Sequence, residues 1–182
     1  MAGAGVTTSW LRVLNPRTDF RSMAEAQRGA RLSSFSLLLL LLSVVPSSLW
    51  MFANPNWMTD YMASVTAAQG ASAEGLKVQA AFFEGVMPSL VIGGLFFNAL
   101  LFGGVAFSQW KLATRTIPII LLAWLGYTLL MMPVRLAMPA ELRPDLPAWI
   151  SALSLVATVL CIGLNIAALR GAQAFHRLRQ IP

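Results

Sequence analysis

Apolar residues fill four long blocks of this chain, separated by short polar stretches. Charged side chains are missing from residues 32–59, 85–110, 116–134 and 146–169. A charge at the middle of a bilayer costs roughly 2.5–3.5 kcal/mol on insertion scales, and about 20 apolar residues cross the hydrocarbon core as a helix. Each block is long enough, so the pattern predicts spanning helices near 34–53, 87–107, 116–135 and 148–169. The expected fold is an all-α polytopic membrane protein, four transmembrane helices in a compact bundle with short interfacial helices. Residues 1–33 form a basic amphipathic segment, 34–172 the membrane domain and 173–182 a basic tail.

The first block, "SSFSLLLLLLSVVPSSLW", also matches the apolar core of a secretory signal. A cleavable signal keeps a core of about 7–15 residues near the terminus, followed by a small-residue cleavage site. Here some thirty residues with five arginines precede the core, and for cleavage after the one small candidate, Ala53, the −3 position is Met51. The block therefore reads as an anchor that stays in place.

Between the blocks the pattern changes period. In the prelude, Pro16 breaks the chain, and Thr18 or Ser22 can cap a short helix; Ser22-x-x-Glu25 has the capping-box spacing. This basic stretch is expected either to rest on a membrane surface or to be a solvated flank without a partner. In the connection 54–85, Met58, Tyr61, Met62 and Val65 recur at helical spacing. "GAS" interrupts, and "SAEGLKVQAAFFEG" resumes a helix towards the second span. Two short surface helices are expected here, resting on the membrane or docking a partner. "SQWKLATR" is short enough to make the second and third spans neighbours, while three prolines stiffen 136–147.

Composition supports the membrane reading. Of 182 residues, 57% are hydrophobic and 11% charged, under half the charge of an ordinary soluble domain. If the amino terminus is cytoplasmic, ten basic residues fall on inside flanks: Arg12, Arg17, Arg21, Arg28, Arg31, Lys111, Arg115, Arg170, Arg177 and Arg179. Only Lys77, Arg135 and Arg143 fall outside. The positive-inside rule then places both termini in the cytoplasm, and compact loops fit a bacterial inner membrane. Trp50, Trp57, Trp110 and Trp149 lie at predicted span ends, where amphipathic rings anchor at the headgroup level.

Chemistry finds little foothold. One cysteine, Cys161, excludes an intrachain disulfide, and one histidine, His176, excludes a histidine-cluster metal site. Phosphate-binding glycine loops are absent, so no catalytic, metal or cofactor residues are assigned and no nucleic-acid partner is expected. The informative pattern is a stripe on the fourth span: Ser151, Ser154, Thr158, Cys161 and Asn165, continued by Ala168 and Ala172. Small faces let helices approach closely, and hydroxyls and amides bond across the contact. Gly93 and Gly104 on the second span, with Asn98 near mid-membrane, offer it a partner. A polar path for a solute is the alternative, but no span carries an ionisable residue at its middle.

Three stretches resemble a known family. "VLNPRTDFRSM", "WKLATRTIPIILLAWLGYTLLMMPVRL" and "LNIAALRGAQAFHRLR" are similar to segments of bacterial Yip1-domain membrane proteins, with Lys111, Thr114, Gly126, Tyr127 and Pro133 carrying the middle likeness. That family usually has five spans where four are counted here. The resemblance implies a helical bundle concerned with membrane organisation and has no catalytic residues to transfer. The expected function is accordingly a non-enzymatic protein that contacts lipids, other membrane proteins or a second copy of itself. An accessory subunit of a larger complex and a small oligomeric permease are the alternatives.

Overall fold

A computed structural model describes residues 12–15, 19–20, 22–54, 56–68, 73–139 and 146–180, without the side chains of 67–68, 73–80 and 83–84. The expected break at Pro16, the interruption at 70–72 and the charges at 141–145 lie outside the described residues. From Met23 onward the described residues form α1 (Met23–Ala30), α2 (Leu32–Ala53), α3 (Asn56–Ala68), α4 (Ala73–Leu112), α5 (Thr116–Ala137) and α6 (Ala148–Arg179). Four stretches are long and apolar enough to cross a membrane: Met23–Ala53, Gly85–Leu112, Thr116–Ala137 and Ala148–Arg179. The protein is thus an all-α polytopic membrane bundle, as the charge-free blocks predict.

Local chemistry explains the helix limits. Ser22 caps α1 in extended geometry, its hydroxyl accepting from the Glu25 N–H at 3.2 Å. Arg31 stays in the helical region, at φ −74 and ψ −12, so α2 follows α1 with little change of path. Inside α2, Pro46 removes one N–H donor, yet the helix continues. Nearby, the Ser43 and Ser47 hydroxyls donate to the Leu40 and Val44 carbonyls.

Two helices outrun their spans. α4 extends for 40 residues, about 60 Å at 1.5 Å per residue, so the second surface helix merges with the span. Gly85 costs only about 1 kcal/mol relative to alanine in a helix interior, too little to end it. α6 likewise continues to Arg179, with His176, Arg177 and Arg179 in the last turn, where cations complement the carbonyl end of the helix.

The helices form a ring in which α2 packs against both α4 and α6, and α5 packs against α6. α4 reaches α5 through Phe102, whose ring stacks on Trp124 at 5.9 Å between centroids. Neighbours run antiparallel. Along α2 and α4, Arg31 meets Trp110 and Ser34 meets Ala106. Along α1–α2 and α6, Gly29 meets Gly171 and Ser36 meets Asn165. Leu37, Leu40, Phe102, Ala106, Leu121, Leu125 and Cys161 make the central core.

α1 is not a free flank. Its Ala26, Gly29 and Ala30 are buried, covered by the last part of α6. Small residues on both helices explain this: a Cβ added to Gly171 would stand 2.5 Å from the backbone of Gly29 and Ala30. Residues 12–14 also fold back, with Val13 buried against Leu32, Ala167 and Ala168. Arg12 pairs with Glu25 of α1 at 3.6 Å.

Candidate functional site

Most of the described basic residues collect at one end of the ring, while Arg135 lies in the last turn of α5 and Lys77 near the start of α4. Arg28 and Arg31 lie at the α1–α2 junction, Lys111 and Arg115 flank the α4–α5 turn, and Arg170, Arg177 and Arg179 are on α6. Ala30, Ala113 and Ala172 touch one another, which brings these three places together. We refer to this as the basic end.

A fully buried Gln109 joins them. Its Nε2 donates to the Ala30 carbonyl at 3.0 Å and the Thr114 carbonyl at 2.9 Å. Its Oε1 accepts from the Thr114 hydroxyl at 2.8 Å. The turn beyond is tight, with Ala113 at φ 48, a left-handed conformation uncommon for residues other than glycine. The alanine methyl is buried there against Ala30 and Ala172, a contact glycine would lack. On the rim of the same corner, Arg31 Nε donates to the Trp110 carbonyl at 3.0 Å. The guanidinium lies 4.8 Å from the Trp110 ring centroid, and Phe35 meets that ring edge-on at 5.8 Å.

Deeper in the bundle, the Ser34 hydroxyl donates to Ala106 of α4 at 2.9 Å, and Ser36 faces α6. Asn165 Nδ2 donates to the Ser36 hydroxyl at 2.7 Å and to the Cys161 carbonyl at 2.8 Å. The Cys161 thiol donates to the Ser36 carbonyl at 3.4 Å. Asn165 Oδ1 is buried without a partner among the described residues. Leaving such a group unpaired costs about 1–3 kcal/mol.

The stripe on α6 therefore divides. Thr158, Cys161 and Asn165 are buried, as are Ala168 and Ala172, whereas Ser151 and Ser154 are exposed. The Thr158 hydroxyl donates within its own helix, to Ser154, at 2.8 Å. The glycine-bearing second span is not the stripe's partner. α6 packs on α2, where Ser36 supplies the polar partner. A Cβ at Gly93 or Gly104 would meet nothing within 4 Å, and Asn98 turns back on its own helix, donating to Gly94 at 2.8 Å.

Of the span-end tryptophans, Trp110 belongs to the basic end. Trp50 and Trp57 meet edge-on at 5.6 Å where α2 passes into α3, and Tyr61 stacks on Trp57 at 6.0 Å. Trp149 is exposed at the start of α6.

Sequence reasoning missed Gly29, Gly171, Ser34, Ser36 and Gln109. Ala26 and Ala30 on α1, spaced like Ala168 and Ala172 on α6, were the available signal for the first pair. Gln109 gave none, because a polar residue at the end of a span is ordinary. No protein-family model, curated protein or solved structure matches the chain.

Proposed function

We propose that this is a non-enzymatic, Yip1-like protein of the bacterial inner membrane, with both termini cytoplasmic, acting in membrane organisation through lipid and protein contacts. One observation carries the reading: buried Gln109, Ser34 and Asn165 use their polar groups to join helices. Gln109 ties the α4–α5 turn to the end of α1, Ser34 ties α2 to α4, and Asn165 ties α6 to α2. Polar groups committed to holding neighbouring helices make a scaffold. The three family-like sequence stretches and the ten-to-three division of basic residues support the family and the orientation.

Extraction from native membrane in polymer discs, followed by native mass spectrometry, tests this. The expected species is the chain alone or as a homo-oligomer, carrying lipid. A foreign protein at fixed stoichiometry would overturn the reading in favour of an accessory subunit. That second reading draws on the open apolar faces of α4 and α5, where Gly93, Gly104 and Gly126 have room beside them for a partner's span. Reporter fusions after Arg179 and in the connection near Asp60 test the orientation, with cytoplasmic signal expected only from the first.

A further inference from the structure

We propose that the corner between the α1–α2 junction and the α4–α5 turn binds the phosphate-bearing headgroup of an anionic phospholipid. Arg31 is the anchor. Its Nε is committed to the Trp110 carbonyl and its plane to the Trp110 ring, so the guanidinium is held before any ligand arrives. Its terminal nitrogens have no acceptor among the described residues, which leaves a pre-oriented fork of N–H donors. A planar guanidinium matches phosphate oxygens with two parallel bonds, and less entropy is lost when the side chain is already fixed.

Two further cations share the corner. Lys111 follows Trp110 directly, with its Nζ 4.6 Å from the Phe107 ring centroid. Arg115 is exposed just beyond the turn. Neither has an ion pair among the described residues. The buried Gln109 fixes their placement, because it bonds Ala30 beside Arg31 on one side and Thr114 beside Arg115 on the other. Three positive side chains are thus held on one rigid turn and its neighbour.

The surroundings select a lipid over free phosphate. Phe35, Phe107 and Leu112 are exposed beside Trp110 and Lys111, on the side from which the apolar spans begin. A ligand with a negative head and an apolar tail covers both surfaces, whereas inorganic phosphate covers one. The inference deepens the lipid half of the proposed function and rests on it.

The test uses the purified full chain, titrated with phosphatidylglycerol or phosphatidylcholine and read by native mass spectrometry, with inorganic phosphate and glycerol phosphate as competitors. The anionic lipid is expected to be retained preferentially. Removing two basic side chains at an anionic contact lowers affinity about thirtyfold, the loss expected for Lys111→Gln with Arg115→Gln. The matched double change Arg177→Gln with Arg179→Gln removes the same charge from the end of α6 and is expected to leave retention nearly unchanged. Arg31→Lys keeps the charge but loses the fork, and is expected to lower retention with unfolding temperature maintained.

Equal retention of the two lipids, or equal loss in the two double variants, would overturn the site. Full displacement by inorganic phosphate would overturn the lipid assignment. The polymer-disc experiment remains separate: failure at this corner leaves the scaffold reading standing, and a fixed foreign partner leaves the lipid titration intact.

Discussion

The two ends of the bundle are built by different rules. At the basic end, Ala26, Gly29, Ala30, Ser33, Ser34, Ser36, Gln109, Ala113, Ala167, Ala168, Gly171 and Ala172 are buried. Towards the other end, past Leu40, Phe102, Leu125 and Ala157, the buried residues among those described are Met87 and Ile150. The open end is the more apolar, with Leu42, Phe96, Phe97, Leu130 and Val156 all exposed. In water that would be inverted, because burying leucine and phenylalanine drives association. In lipid the hydrocarbon solvates them equally well, so helices close where backbones can approach and polar groups can bond. Small residues alone do not suffice. Gly93, Gly104, Gly126 and Gly163 have open space beside them, and no cross-helix side-chain bond reinforces them among the described residues.

The strongest way to break this comparison is to add one methyl group at each end. At Gly171 the new Cβ would stand 2.5 Å from backbone atoms of α1, which cannot rotate aside. Gly171→Ala is expected to destabilise the bundle by about 3 kcal/mol, the upper range for overpacking, and to expose α1 to protease. Gly126→Ala meets nothing, and alanine is the better helix former by up to about 1 kcal/mol, so this variant is expected to hold or gain stability. Denaturant unfolding in detergent reads both. Similar losses at the two positions would mean that the open end is as tightly packed as the basic end.

A smaller difference is expected from the amides. Gln109→Leu deletes three hydrogen bonds and leaves the Thr114 hydroxyl and carbonyl without their buried partner. The Ala30 carbonyl keeps the Ser33 hydroxyl at 3.2 Å, so the expected cost is about 2 kcal/mol. Asn98→Leu removes only a bond within one helix turn and is expected to be neutral. The same unfolding measurement decides, and a costly Asn98→Leu would assign that side chain a role between helices.

Much of this architecture is legible in the sequence, because a spanning helix excludes charge and that exclusion needs no partner to be recognised. The blocks 32–59, 85–110, 116–134 and 146–169 each mark one spanning stretch, the first running on past Ala53 into the start of α3. The seam was half legible. The α6 stripe is visible from spacing, but its partner depends on how two helices slide against each other, and spacing within one helix does not contain that register. Gly93 and Gly104 have the spacing of a packing face and face open space; Ser34 and Ser36 look like an irregular start to a span and carry the contacts. α1 was hidden for a related reason. Arg28 and the arginines flanking it mark a surface, while the Ala26, Gly29 and Ala30 face is meaningful only once Gly171 is known to lie across it.

Within the bundle interior, Asn165 sets two effects against each other. Asn165→Ala loses the bonds to Ser36 and Cys161 but also removes the unpaired Oδ1. Interhelical bonds in membranes average about 0.6 kcal/mol, with a maximum near 1.7, so a net loss of about 1 kcal/mol is expected. In a double-mutant cycle with Ser36→Ala, a coupling of about 0.6 kcal/mol identifies the shared bond. Zero coupling would show that the two side chains are neighbours without being partners.

The finest contrast is between serines. The Ser34 hydroxyl crosses from α2 to the Ala106 carbonyl, so Ser34→Ala is expected to cost about 0.6 kcal/mol. Ser151 and Ser154 share the α6 stripe but are exposed, and Thr158 uses the Ser154 carbonyl rather than its hydroxyl. Alanine preserves that carbonyl, so Ser151→Ala and Ser154→Ala are expected to change stability by less than about 0.5 kcal/mol. Because the substitution is chemically identical at all three sites, any difference in unfolding free energy reports where the helices meet. A loss at Ser151 or Ser154 equal to that at Ser34 would mean that the open end closes in the membrane, with the stripe packed along its full length.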